Sequence, residues 1–285
     1  MTSHSVIHGG GTSTPELEES DLKYFCDLIE ERAGIHLKPA KHDLVRTRLR
    51  SRIGAHNLQS YTEYKDLLAS LSDNNPEWEI FTNLLTTNKT DFFREPKHFD
   101  FLINQIIPEW SRTHQKTFKV WSAACSTGEE PYTLAMILSR YLPKGKDFKI
   151  FATDIDTEVL KVAQNAVYGV TKQHEIPKDY QQPCIELGRR EAKNWFRIKP
   201  ELKERVVFKQ HNLIERMAPN PDTFDLVLCR NVLIYFAPEN IDFVQAKLFT
   251  TVKPGGHFFI GHSESLQGMK HRWKSVSPSV FKKAA

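Results

Sequence analysis

The residues best suited to chemistry stand at the ends of apolar, β-favouring runs. One such run over 118–123 passes through small residues to Gly128, and Pro131 then falls in the opening turn of a helix, where its missing N–H leaves no bond unmade. A strand-to-helix turn of this kind lets a ligand approach the backbone and meet the free N–H groups of the helix start. It holds a single glycine, so it is not the G-x-G-x-x-G dinucleotide fingerprint. Asp154 ends the next run, 26 residues after Gly128, where an acid can accept hydrogen bonds from a ribose diol. One glycine and that acid suit a nucleoside cofactor lacking a pyrophosphate. S-adenosylmethionine fits, since its carboxylate and ammonium need only a few backbone and polar partners. Alone, the turn equally describes an ordinary strand, turn and helix with an incidental aspartate. Two later runs bring more side chains to the same level: Asn212 and Leu213 follow 206–210, Arg230 and Asn231 follow 224–229, and Tyr235 lies about one helical turn further on.

These strand ends need a sheet to hold them. The first third of the chain offers none and reads as all helix. Ser20 caps a helix reaching Ala33 with Leu22, Phe25, Leu28 and Ile29 on one face, and Gly34 stops it. A second helix spans 42–53. Ser60 and Glu63 form a capping box before a third, striped by Tyr61, Tyr64, Leu68 and Leu71. Asn75-Pro76 starts a fourth, carrying Trp78, Phe81, Leu84 and Leu85. Residues 86–96 form a link into a helix over 97–110, and a link is where two domains can both touch a ligand. From 118 onward, strands over 118–123, 148–153, 206–210, 224–229 and 257–260 alternate with helices over 130–141, 157–165 and 238–251. A last, antiparallel strand is expected over 273–281. The pattern is a doubly wound α/β sheet. Residues 168–205, broken by Pro177, Pro183, Gly188 and Pro200, read as a small antiparallel β-subdomain inserted between sheet strands. The expected organisation is a disordered tail over 1–17, an N-terminal helical domain over 18–85, a linker over 86–96 and an α/β domain over 97–285.

Five segments in register give the chain a specific likeness. Trp-Ser-Ala-Ala-Cys-Ser-Thr-Gly-Glu-Glu-Pro-Tyr at 121–132, Thr-Asp-Ile-Asp at 153–156, Cys-Arg-Asn-Val-Leu-Ile-Tyr-Phe at 229–236, Gly-His-Ser-Glu at 261–264 and Thr-Thr-Asn-Lys-Thr-Asp-Phe-Phe-Arg at 86–94 resemble the chemotaxis protein methyltransferases, the CheR family. The resemblance runs from about residue 18 to the C-terminus. It implies an N-terminal helical domain, a methyltransferase domain with an inserted β-subdomain, and methyl transfer from S-adenosylmethionine to glutamate side chains on the cytoplasmic helical bundle of chemoreceptors, leaving S-adenosylhomocysteine. By the same resemblance Asn88, Thr90 and Arg94 contact the cofactor from the linker. Glu129 lies near its amino-acid end, Asp154 holds the ribose, Asn212 and Leu213 meet the adenine, and Arg230 and Asn231 line the opposite wall. Arg94 and Tyr235 match residues that orient the substrate carboxylate. A glutamate with a pKa of about 4.3 is already a nucleophile at neutral pH, so none of the 12 histidines has to be a general base. What remains is orientation of a carboxylate oxygen.

The helix over 42–53 carries the clearest charge pattern: Lys41, Arg46, Arg48, Arg50 and Arg52 against Asp43. A run of this kind is usually a solvated face, but an acidic helical bundle as substrate favours a docking role, and the family resemblance points to Arg48 and Arg52. Some family members grip a receptor tail with a glycine-rich hairpin in the inserted subdomain. Here only Gly188 stands between Leu187 and Arg189, which counts against such tethering. A nucleic-acid amino-methyltransferase would carry Asn/Asp-Pro-Pro-Tyr/Phe after the fourth strand, whereas this chain has Asn231-Val-Leu-Ile-Tyr235. A silent cofactor-binding or receptor-docking protein is the other alternative.

Composition is that of an ordinary soluble globular protein: 40% hydrophobic, 26% charged, and a net charge of +4 that is too mild by itself to imply nucleic acid. Residues 1–14 lack an apolar signal-peptide core, and no apolar run approaches the ~20 residues that span a membrane. Cys26, Cys125, Cys184 and Cys229 are far apart without a C-x-x-C pair, so reduced thiols, a cytoplasmic protein and no metal are expected, and the protein is expected to act as a monomer.

Overall fold

The computed structural model describes residues 15–215 and 222–284, and residues 1–14 of the tail expected over 1–17 lie outside them. Leu17, expected in that tail, is buried against the helical core. The first helix, α1 (Glu19–Ala33), starts ahead of Ser20. Glu18 is its N-cap without a side-chain bond, and Glu19 and Asp21 place negative charge at the positive end of the helix dipole. Gly34 ends α1 at φ 72°, and a Cβ there would lie 2.6 Å from Ile214 Cγ2, so conformation and space both require glycine.

Three more helices follow: α2 (His42–Ala55), α3 (Tyr61–Ser70) and α4 (Glu77–Leu85). Ser60 Oγ accepts from Glu63 N at 3.1 Å as the capping box predicts, while the Glu63 carboxylate reaches back to Gln59 N at 2.8 Å. Phe25, Ile29, Val45, Leu49, Tyr61, Tyr64, Leu68 and Phe81 meet in a fully buried core at helical spacings. Each such side chain contributes about 1.5–3 kcal/mol by leaving water.

The helix expected over 97–110 is one helical run with an irregular middle. α5 (Pro96–Phe101) passes through a π-type segment, Leu102–Ile106, into α6 (Ile107–Ser111). Pro108 has no N–H to give the preceding turn, which accounts for the irregular ladder just before it.

The sheet then builds outward. β1 (Thr117–Ser122), α7 (Glu129–Tyr141), β2 (Asp147–Asp154) and α8 (Thr157–Asn165) lead into the insertion. There β3 (Val167–Gly169), α9 (Lys178–Cys184), β4 (Ile185–Leu187) and β5 (Trp195–Ile198) form a separate antiparallel sheet in the order β3-β5-β4. Phe196 is core there, whereas Trp195 and Leu187 are about half exposed. The short α10 (Pro200–Lys203) returns to β6 (Val206–Gln210), and β7 (Phe224–Cys229), α11 (Pro238–Thr251), β8 (Val252–Ile260), β9 (Lys274–Ser277) and β10 (Val280–Lys282) complete the chain. The main sheet has seven strands in the order β6-β2-β1-β7-β8-β10-β9, with β10 antiparallel to both neighbours. The single strand expected over 273–281 is therefore a hairpin, turned at Ser279 with φ 59°. All six residues of β7 are buried, as a central parallel strand requires.

Strand order reverses between β1 and β7, which marks the ligand crevice at their carboxyl ends. The helical domain closes over that end. Ile35 bridges to Phe236, His36 N donates to Tyr235 O, Asn83 Nδ2 donates to Thr157 Oγ1, and one hydrophobic cluster runs from α1 to Trp121 and Phe258.

Arg48 and Arg52 do not form the exposed basic face expected of α2. Arg52 donates through Nε and Nη2 to both oxygens of the buried Glu77 at 2.8 and 2.6 Å, and the Tyr64 hydroxyl adds a bond at 2.7 Å. Arg48 donates to the Leu84 and Thr86 carbonyls. Their i,i+4 positions lie on the flank of α2 facing α4, whereas Lys41, Arg46 and Arg50 are exposed. Burial works to raise the Glu77 carboxyl, but Arg52, Tyr64 and His56 outweigh it and hold it below the ordinary range. Arg52→Met should destabilise the protein by about 3 kcal/mol at pH 7, because it strands a buried carboxylate. Urea denaturation should show that loss, and show it narrowing below the ordinary glutamate pKa of about 4.3 as the carboxyl protonates.

Candidate active site

A cleft of about 320 Å³ opens at the carboxyl ends of β1, β2, β6 and β7, with linker residues and the segment after α1 along its other side. At its centre is the turn after β1. Ser126, at φ 48°, donates its N–H to Asp154 Oδ2 at 2.8 Å and its hydroxyl to Asn88 O at 2.8 Å. Gly128 does not line the cleft. At φ 96°, its missing Cβ would lie 2.9 Å from both Ala163 Cβ and the Tyr168 hydroxyl, so it serves close packing against α8 and the insertion rather than ligand approach.

Asp154 lines the cleft but is only 8% exposed. Burial, aided by the Asp156 charge and opposed by the Asp156 and Ser126 N–H bonds, raises its carboxyl to about 6. The second acid of the pair was not singled out from sequence. Asp156 Oδ1 caps α8 by accepting from Glu158 N at 2.9 Å, while Oδ2 accepts from Thr86 Oγ1 at 2.8 Å and Asn88 Nδ2 at 2.6 Å. Its position just before the helix at Thr157 was the available signal.

The opposite wall is an ion network. Arg230, 6% exposed, donates through Nη1 to Glu130 at 2.9 Å and through Nη2 to Glu95 at 3.0 Å and to the Arg94 carbonyl. Asn231 Nδ2 donates to Glu95 at 3.1 Å, and Asn231 N donates to Glu264 at 2.9 Å. Burial works to raise Glu95, but Arg230, the His262 N–H and Asn231 overcome it and hold the carboxyl at about 2. Glu95, His98 and His262 bring ligand-type atoms within 4.8 Å of one another, but Arg230 already supplies the positive charge at that point.

Glu129 is where expectation and structure part. Successive residues on a helix point about 100° apart. Glu130 therefore faces the cleft and Arg230, whereas Glu129 is fully buried toward the insertion, 2.8 Å from Lys172. Lys172 also donates to Thr90 O at 3.1 Å, which ties the insertion to the linker.

Asn88, Thr90, Arg94, Asp154, Asn212, Leu213, Arg230, Asn231 and Tyr235 all line the one cleft. Arg94 Nη1 donates to Lys89 O at 2.8 Å, and the residues flanking it, Phe93 and Glu95, hold left-handed φ of 53° and 59°. Asn212 Nδ2 donates to Arg32 O at 2.7 Å, and the buried Lys247 holds the Leu213 and Glu215 carbonyls. Sequence reading did not mark Lys247. Arg48 and Arg52 are not among the cleft residues.

A buried carboxylate at the end of the second strand, apolar walls from Ile155, Leu213 and Phe236, and a paired guanidinium and carboxylate across the cleft fit a zwitterionic nucleoside. Fold and cleft together define an α/β domain built to hold S-adenosylmethionine. Residues 88–281 match the family model described as the CheR methyltransferase SAM binding domain, and residues 20–86 match the CheR methyltransferase all-alpha domain. The chain is 35% identical over 266 residues to a chemotaxis protein methyltransferase of Salmonella typhimurium, covering 93% of this chain and 90% of the relative. It is 36% identical over 266 residues to chemotaxis protein methyltransferase 2 of Pseudomonas aeruginosa (93% of each chain), and 33% identical over 274 residues to the Borreliella burgdorferi protein (94% and 95%). The chain belongs to the CheR methyltransferase family and is an S-adenosylmethionine-dependent methyltransferase. Among the described residues no helix is long and apolar enough to cross a membrane.

The raised Asp154 sets a pH dependence. On the expectation that a ribose diol donates to this carboxylate in its ionised form, affinity for S-adenosylmethionine should be steady above pH 7 and fall as pH drops through about 6. Calorimetric titration should give a dissociation constant rising about tenfold per pH unit below that point, and Asp154→Asn should flatten the profile.

Proposed function

We propose that this protein methylates glutamate side chains on the cytoplasmic helical bundle of chemoreceptors, yielding glutamate methyl esters and S-adenosylhomocysteine. The observation that carries this reading is the continuity of one cleft from Asp154 and Glu130 to Arg94 and Tyr235: a cation and a phenol share the cavity with the cofactor residues. The relatives described above support it, since those of Salmonella typhimurium, Pseudomonas aeruginosa and Borreliella burgdorferi are chemotaxis protein methyltransferases.

Within this reading Asp154 receives the ribose, and Asn212 and Leu213 border the adenine. Asn88, Thr90 and Arg94 close over the cofactor from the linker. Glu130 takes the place near its amino-acid end that sequence reading gave to Glu129, and Arg230 and Asn231 form the far wall. S-adenosylmethionine supplies an electrophilic methyl group. The acceptor glutamate is ionised at neutral pH, so the chain's task is positioning. Arg94 can hold the carboxylate through a guanidinium fork and Tyr235 can support it with its hydroxyl, while a free oxygen keeps its nucleophilicity.

Docking falls to the positive face on and just before α2, where Lys41, Arg46 and Arg50 are exposed and the half-buried Arg48 and Arg52 lie beside them. Net positive charge on that face suits an acidic bundle.

Incubation with tritiated S-adenosylmethionine and a chemoreceptor cytoplasmic fragment should give label released as methanol by base. Base-stable label, or label in nucleic acid, would reject the proposal. Arg94→Ala and Tyr235→Phe should each lower turnover about a hundredfold with unchanged circular dichroism; near-normal turnover by both would remove them from the reaction. Arg46→Glu with Arg50→Glu should raise the acceptor KM and leave cofactor affinity unchanged.

A further inference from the structure

Arg48 has no part in the cleft and is half-buried, yet its contacts lead straight to it. Its Nη1 donates to Leu84 O at 2.8 Å and to Thr86 O. These carbonyls close α4, where the last turn has no intrahelical partners and a cation is favoured by the helix dipole. The chain that leaves this clamp becomes the cofactor wall within two residues. Thr86 bonds Asp156 through its hydroxyl at 2.8 Å, and Asn88 Nδ2 bonds the same oxygen at 2.6 Å. Asn88 O receives the Ser126 hydroxyl at 2.8 Å, and Ser126 N holds Asp154 at 2.8 Å. Thr86, Asn88, Ser126 and Asp154 all line the cleft.

Polar partners therefore run unbroken from α2 to the buried acid. Arg48 fixes where the linker starts, Asp156 fixes its next turn, and the turn after β1 is hung from Asn88. Without the guanidinium, the Leu84 and Thr86 carbonyls lose their shared donor, and Thr86 keeps only its bonds back to Thr82 O and Asn83 O on the helical side. Burial works to lower the guanidinium pKa, and the opposing influences come from Asp156 and Tyr235, which places Arg48 electrically at the cleft's edge rather than on an outer face.

We infer that Arg48 is a positioning residue for S-adenosylmethionine binding, acting through the Thr86–Asn88 linker. The inference rests on the cleft being the cofactor site and is independent of which acceptor is used. Calorimetric titration of the full chain with S-adenosylmethionine alone tests it. Arg48→Met keeps the aliphatic stem and removes the donors, and it should raise the dissociation constant at least fivefold. Arg48→Lys, with one compact donor head, should recover part of that loss. A cofactor dissociation constant within twofold of the parent for Arg48→Met overturns the inference. Should Arg48→Met melt below the assay temperature, Arg48→Lys and Arg48→Gln are read against the same twofold limit. Asp154→Asn serves as reference: if its affinity is also unchanged, the cleft is not the cofactor site and this inference falls with that reading.

Discussion

A guanidinium buried to the degree of Arg230 must be paired, because an unpaired charge in that position is prohibitive. Its partners come from parts of the chain that share no secondary structure: Glu130 from the first turn of α7, and Glu95 and the Arg94 carbonyl from the linker. Satisfying one cation therefore welds the linker to the sheet and fixes the far wall of the cleft. Glu95 in turn collects Asn231 and the His262 N–H, and Glu264 collects the backbone of Asn231 and Gly261. The loops after β7 and β8 and the start of α5 are thus set by one connected group of charges.

Bending the chain around that group has a conformational cost. Phe93, Glu95, Ser126 and Asn231 all adopt left-handed φ without being glycine, and all four stand in or next to the cleft. Conformations of this kind cost on the order of 1–3 kcal/mol each and persist where surrounding bonds over-determine them. Here the bonds are evident: Thr133 Oγ1 on Phe93 N, Asp154 on Ser126 N and Glu264 on Asn231 N.

The architecture was largely legible in the sequence because it follows from periodicity. Phe25 and Ile29, or Val45 and Leu49, repeat at helical spacing, and the apolar run of β7 announces a buried parallel strand. Caps were less legible. Ser20 has the right chemistry for an N-cap but lies inside α1, where first-turn acids carry the start. The residues of the cleft could be named, but not their rotation: Glu129 and Glu130 are adjacent and identical in type, and only the positions of Lys172 and Arg230 decide which faces inward. Arg48 and Arg52 show the same limit. A basic run looks like a solvated face until Glu77 and two backbone carbonyls, 25 to 38 residues away in sequence, turn out to claim two of its members.

The cleft is walled by residues of both halves of the molecule, with Ala33, Ile35 and Leu37 on one side and Asp154, Leu213 and Arg230 on the other. A small molecule seated there touches both, so its binding energy also counts toward holding them together. By mass action an occupied cleft adds about 2.7 kcal/mol to that association when cofactor stands a hundredfold above its dissociation constant. The methyl donor is then a structural tie as well as a reagent.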